Sequence, residues 1–228
     1  MSSPLSLRAQ LRSRLPAIAL IAAASAVPIG VVLLLRVWKG VPIHLLTSDV
    51  TSIAGVPAYT GFLSQLGIFV WAGAAAICFF CARLLAAQSD AREERRFLLV
   101  SGLLTVVLAF DDLFLLHEEF FPSLGVPEKG VFAAYAAFVL FHLVRFRRLI
   151  LRTDYILLAI AFAAFALSVG LDLVNPAGIN PYLYEDSAKF VGIVSWLGYF
   201  FRAGSGALEG AQGSVTRGGA LRGASQAV

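Results

Sequence analysis

The chain has 228 residues, of which 59% are hydrophobic and only 14% charged, and its mean hydropathy is +0.82. Soluble domains carry about 25% charged residues, so this composition excludes an ordinary soluble domain and points to an all-α, polytopic membrane helix bundle. The net charge of +4 and pI near 9.3 do not call for nucleic acid, because the excess arginines sit in connections and in the tail. Basic residues there orient membrane helices.

Six spans of about 20 residues each are predicted, the length a hydrocarbon core of about 30 Å requires. They cover 16–38, 61–86, 96–121, 129–151, 155–174 and 181–202. Arg8, Arg12 and Arg14 precede the first, and Ala24-Ser25-Ala26 imitates a signal-peptide cleavage site. The apolar run nevertheless continues to Val37, so the segment reads as an uncleaved helix, with a kink expected at Pro28. The connection 39–60 is the longest, and is expected to lie along the interface or fold over the bundle, with His44 as a loop residue.

The second span carries Cys78 and Cys81 in ICFFCARLL. A C-x-x-C is a redox pair or half a metal site only with further support. No second cysteine pair exists, so both read as small apolar residues on one helix face. Alanine and glycine crowd the first, second and fourth spans (AIALIAAASA, WAGAAA, FAAYAA), which predicts tight packing seams there.

The third span ends in FDDLFLLHEEFFP, residues 110–122, with Pro122 expected to stop the helix. On a continuous helix Glu118 and Glu119 lie near its outer end, and Asp111 and Asp112 about 15 Å deeper. At 100° per residue Asp111 and Glu118 are nearly eclipsed, while His117 turns about 100° away from Glu118. Charges at this depth cost roughly 2.5–3.5 kcal/mol each and usually face a bundle interior or wet cavity. A structural reading stands beside this one: interhelical hydrogen bonds for Asp111 and Asp112, and solvated interfacial positions for His117, Glu118 and Glu119.

His142, in the fourth span, is far from these acids and reads as structural. Asp172 comes to the same outer depth on the fifth span, which Asn175-Pro176 is expected to end. Asn180-Pro181 reads as the N-cap and first helical residue of the sixth span. That start places Glu185, Asp186 and Lys189 in its first turns, where Lys189 can pair with either acid. From Gly204 onward the Gly, Ser and Ala content predicts a disordered cytoplasmic tail, leaving 1–203 as the membrane domain and 204–228 as the tail.

The arginines cluster before the first span, between the second and third, between the fourth and fifth, and after the sixth. The positive-inside rule then predicts both termini in the cytoplasm of a cell membrane, with the carboxylate layer on the outer side. Carboxylates with one imidazole suit a hard divalent metal ion. The expected ligand set is Asp111, His117, Glu118, Asp172, Glu185 and Asp186, with Asp112 or Glu119 as catalytic base. The chemistry would be hydrolysis of a membrane lipid by metal-bound water. The site style is similar to that of intramembrane lipid amidases of the alkaline ceramidase and adiponectin-receptor type. Their seven spans and histidine pairs are missing here, and no family assignment follows. The alternatives are a cation or proton transporter, or a non-catalytic membrane binding or assembly subunit. A through path needs polar groups in the cytoplasmic halves, which offer little beyond Ser101, Thr105, Ser195 and Tyr199, so a one-sided site ranks above it. No nucleotide loop or nucleic-acid signature is present. Oligomeric state is not encoded legibly.

Overall fold

The computed structural model describes the backbone of residues 7–174 and 180–225, and the side chains of 14–172, 174, 180 and 183–213. The described residues are helical with turns between and contain no strand. They divide into two units, Met1–Thr60 and Gly61–Val228.

The first unit holds α1 (Leu7–Lys39), α2 (Ile43–Thr47) and α3 (Val50–Ala54). α1 contains both Pro16 and Pro28 and continues through them. Its alanines from Ala17 onward are exposed, so no packing seam forms among these described residues within the unit. The 39–60 connection is built from the two short helices, α3 closing on Gly55 in the left-handed conformation (φ 65°) that glycine adopts without a Cβ clash.

The second unit holds α4 (Phe62–Leu84), α5 (Arg92–Phe114), the one-turn α6 (Phe121–Ser123), α7 (Glu128–Ile150), α8 (Tyr155–Val174) and α9 (Pro181–Ser225). Helices α4, α5, α8 and α9 pack most closely together. Around Trp196, Tyr199, Phe97 and Phe200, all fully buried, aromatic rings meet edge to face. The small-residue seam is real on α4, where Gly67, Ala74, Ala75, Cys78 and Ala82 are buried. On α7 the FAAYAA alanines are exposed, so the expectation for the fourth span fails: that helix meets α5 through large side chains such as Phe146 and His142 instead. Cys78 and Cys81 are buried free thiols within the core.

Among the described residues, five helical segments are long and apolar enough to cross a membrane: Arg14–Lys39, Phe62–Ala87, Ser89–Phe114, Glu128–Ile150 and Tyr155–Asp172. α9 covers the whole of 181–202 as a helix, yet Glu185, Asp186, Lys189 and Arg202 dilute its hydropathy. Its start is as expected: Leu183 N–H donates to Asn180 Oδ1 at 3.2 Å, an N-cap bond that satisfies one orphan amide. The expected end of α8 at Asn175-Pro176 lies outside the described residues, α8 running to Val174.

Two expectations are corrected. α9 does not give way to coil at Gly204 but continues to Ser225. At its inner end this stretch packs closely on α4: a Cβ on Gly204 would lie 2.7 Å from Cys81 Sγ. Ala207 and Leu208 pack on the same core, and Ala211 is buried. Gly204, Ala207 and Ala211 are therefore packing residues rather than linker residues.

The third helix, in turn, does not run unbroken to Phe121. It stops at Phe114, and Leu115 turns left-handed with φ 49° and ψ 47°. A wide turn over Leu116–Phe120 follows, in which Phe120 N–H reaches back five residues to Leu115 O at 3.3 Å. Pro122 lies inside α6, beyond the break.

Candidate functional site

The break at Leu115 rearranges everything the helical projection implied. Asp111, in the last turn of α5, is buried at 5% exposure. A buried carboxylate needs donors, and three reach it. His117 N–H donates to Oδ1 at 3.1 Å, His117 Nδ1 stands 2.5 Å from Oδ2, and Tyr135 O–H of α7 donates to Oδ1 at 2.9 Å. A straight helix would have carried His117 away from Asp111; the left-handed residue between them returns it. His117 is itself buried and rests on Phe132, with ring centroids 4.8 Å apart.

Asp112 faces a different set. Trp71 Nε1–H of α4 donates to Oδ2 at 2.8 Å, and Lys189 Nζ of α9 stands 2.7 Å from Oδ1. The Asp112 side chain is only 11% exposed, against 36% for Lys189. Adjacent acids on α5 thus tie that helix to α4, α7 and α9. This corrects the local pairing expected for Lys189: it reaches across to the less exposed Asp112, where attraction is weakened less by solvent. A void of about 20 Å³ lies beside the pair, bordered by Ser64, Gly67, Asp112, Asp186 and Lys189. That is about the room one water needs.

Around this centre lies a wetter acidic rim. Glu118 is 52% exposed, with Oε1 3.3 Å from His117 Nε2. Glu119, Asp172 and Asp186 are exposed and Glu185 is half-buried. Glu185 lies within electrostatic range of Asp172, Asp186, Lys189 and Glu118. Acids from α8, α9 and the turn after α5 therefore share one layer, while the buried acids beneath them are already occupied.

That division bears on metal chemistry. Among the described residues, no three His, Cys, Asp or Glu side chains are grouped so as to hold a metal ion. The expected ligands Asp111, His117, Glu118, Asp172, Glu185 and Asp186 do not converge. Asp111 and His117 bind each other, and the remaining acids line the rim. Of the expected bases, Asp112 is engaged by Lys189 and Trp71, and Glu119 is exposed. The residues present do not fit a metal centre in this arrangement.

Sequence reasoning missed Trp71 and Tyr135. Their signal was an indole N–H and a phenol O–H inside apolar helices, groups that seek acceptors when buried. A further buried group lies toward the start of α5. Ser101 Oγ is 3.0 Å from His142 Nε2, Thr105 O–H donates to Ser101 O at 2.7 Å, and Trp196 Nε1–H donates to Thr105 Oγ1 at 3.0 Å. Polarity on this side is richer than Ser101 and Thr105 alone suggested, because Trp196 and His142 join them. His142 Nδ1 is buried with no hydrogen-bond partner. His44 is exposed in α2.

No curated protein and no solved structure gave a match. A family model described as "Domain of unknown function (DUF8692)" matches residues 15–203, from the start of the first apolar segment through the buried turns of α9. The match covers more than half of the chain, and the protein belongs to the DUF8692 family.

Proposed function

We propose that the protein is a six-span membrane protein, with both termini cytoplasmic, that translocates protons or a small cation through the Asp112–Lys189 centre. The observation that carries this reading is the ion pair itself, 2.7 Å long, joining α5 to α9 beneath an acidic rim. Charges in an apolar bundle are costly and mark ion pathways, proton relays or their partners. Lys189 acts as a tethered cation on Asp112. When a proton or an external cation takes its place, the ammonium shifts to Asp186, one turn earlier on α9 and within electrostatic range. The incoming cation adds one positive charge to the site, and Asp186 offsets it by taking over the ammonium.

Two further features support this assignment. The exposed acids Glu118, Asp172 and Asp186 raise the local concentration of cations at the mouth. The Trp196–Thr105–Ser101–His142 group continues polar contact into the other half of the bundle. Arginine placement assigns the mouth to the side opposite the termini.

The test is reconstitution of the full chain in liposomes with an imposed pH gradient and an internal pH-sensitive dye. Wild type should dissipate the gradient faster than empty liposomes, with or without added monovalent cation. Asp112→Asn and Lys189→Met should each slow dissipation at least about tenfold, the effect of losing about 1.4 kcal/mol of coupling. Wild-type rates equal to those of empty liposomes under all ionic conditions would refute transport.

A further inference from the structure

A second site lies at the other end of α5. Arg92, where α5 begins, is about 28 Å of helical rise from Asp111. Between the first turns of α5, the last turn of α7, the α7–α8 connection and α9 lies a cavity of about 750 Å³. That volume suits a small-molecule site.

The charges that line it fall into used and unused groups. Arg202 Nε is paired with Asp154 Oδ2, and Glu93 Oε1 is taken by Arg145 Nη1 at 3.3 Å. Glu94, Glu209, Arg148 and Arg152 also line the cavity, and make no ion pair among the described residues. Glu94 Oε2 is shielded from solvent and has no hydrogen-bond partner. An acceptor left in that state is costly unless a donor reaches it. Two unpaired cations and two unpaired anions thus border one cleft, so a purely anionic ligand would face Glu94 and a purely cationic one would face the arginines. Phe97 and Leu98 add buried apolar surface, and Phe201 is exposed at the edge.

We propose that this cavity binds a group bearing a phosphate beside a primary ammonium, as in the headgroup of an aminophospholipid. Arg148 and Arg152 receive the phosphate, since guanidinium forks match its oxygens. The ammonium donates to the Glu94 carboxylate once its side chain turns toward the cavity, since Oε2 as placed is shielded from solvent. Phe201 gives the glycerol and acyl portions an apolar exit toward lipid. Basic pockets between membrane helices select anionic headgroups; the added carboxylates here change the selection to a zwitterion. This inference is independent of the transport reading.

The experiment is native mass spectrometry of the purified full chain in detergent, titrated separately with phosphatidylethanolamine, phosphatidylglycerol and free phosphoethanolamine. Wild type should retain phosphatidylethanolamine with at least about tenfold preference over phosphatidylglycerol, the scale of one charge-assisted hydrogen bond. Glu94→Gln should erase that preference while leaving phosphatidylglycerol binding in place. The Arg148→Gln/Arg152→Gln pair should weaken both lipids about tenfold or more. Glu94→Gln is nearly isosteric at a half-buried position, so it carries the test even where the arginine pair fails to fold. Binding of the lipid without binding of free phosphoethanolamine locates the source in the bilayer; the reverse locates it in solution, with the same headgroup chemistry. Equal retention of the two lipids by wild type together with no binding of free phosphoethanolamine, or binding of the preferred ligand unchanged in Glu94→Gln, would overturn the proposal.

Discussion

His117 Nδ1 stands 2.5 Å from Asp111 Oδ2 although five residues and a helix break separate them. The break is what makes the contact. Leu115, at φ 49°, occupies a conformation that costs an L-residue roughly 1–2 kcal/mol, and the three donors gathered on a buried carboxylate offset it.

Removing His117 should therefore destabilise the fold through the acid it leaves behind. His117→Ala is expected to cost about 3–5 kcal/mol, as for one broken partner of a buried pair. Asp111→Asn/His117→Ala should recover part of that loss. Thermal unfolding of the single and double variants in nanodiscs gives the coupling, and strictly additive losses would show that the two side chains do not act together.

The same pair predicts a pH dependence. His117 lies beyond the Ser89–Phe114 apolar segment. Its hydrogen bond to Asp111 raises its pKa above the usual imidazole value, and burial opposes but does not cancel that rise. A raised folded-state pKa contributes stability that is full below the unfolded value of about 6.5 and is lost as pH rises through the folded value. Tm of wild type should fall across that interval and Tm of His117→Asn should not. Parallel profiles would remove His117 from the account.

Leu115 supplies an independent check on the backbone. Leu115→Gly should raise stability by up to about 1 kcal/mol, because glycine accepts positive φ freely and the lost side chain is already 45% exposed. Leu115→Val should lower it by at least about 1 kcal/mol, β-branching being worst tolerated there. Denaturant midpoints of the two variants should fall on opposite sides of wild type.

The Asp112–Lys189 pair should behave as a unit. Asp112→Asn or Lys189→Met alone should cost about 1–3 kcal/mol, a range below that of a fully buried pair because the ammonium is 36% exposed. The double variant should be closer to wild type than either single one. Unfolding midpoints read this directly, and it separates a stability role from the flux lost in all three.

The continuation of α9 predicts a size constraint. Gly204→Val should destabilise by about 1–3 kcal/mol through overpacking against Cys81. Combining it with Cys81→Ala should restore a large part, since removing the Sγ vacates the space. Proteolysis of the Gly204–Gly213 region should accelerate in the single variant and slow again in the double.

Five of the six apolar segments and the Asn180-Pro181 start were legible in the sequence, because bilayer thickness and proline's missing amide act locally. So was the presence of unusual acids in FDDLFLLHEEFFP, since charge in apolar surroundings stands out in one dimension. Their partners were not legible. A helical projection assumes an unbroken helix, and it set His117 apart from Asp111 because no residue type at 115 announces a left-handed turn. Lys189 likewise had acids available on its own helix and took one on α5, a choice made by differences in burial that exist only after packing. The tail shows the same limit: glycine and alanine read as a loose segment until Cys81 lies opposite Gly204. Sequence determined which residues are expensive to bury; the tertiary structure decided which atoms compensate them, because that depends on where the chain bends and what it meets there.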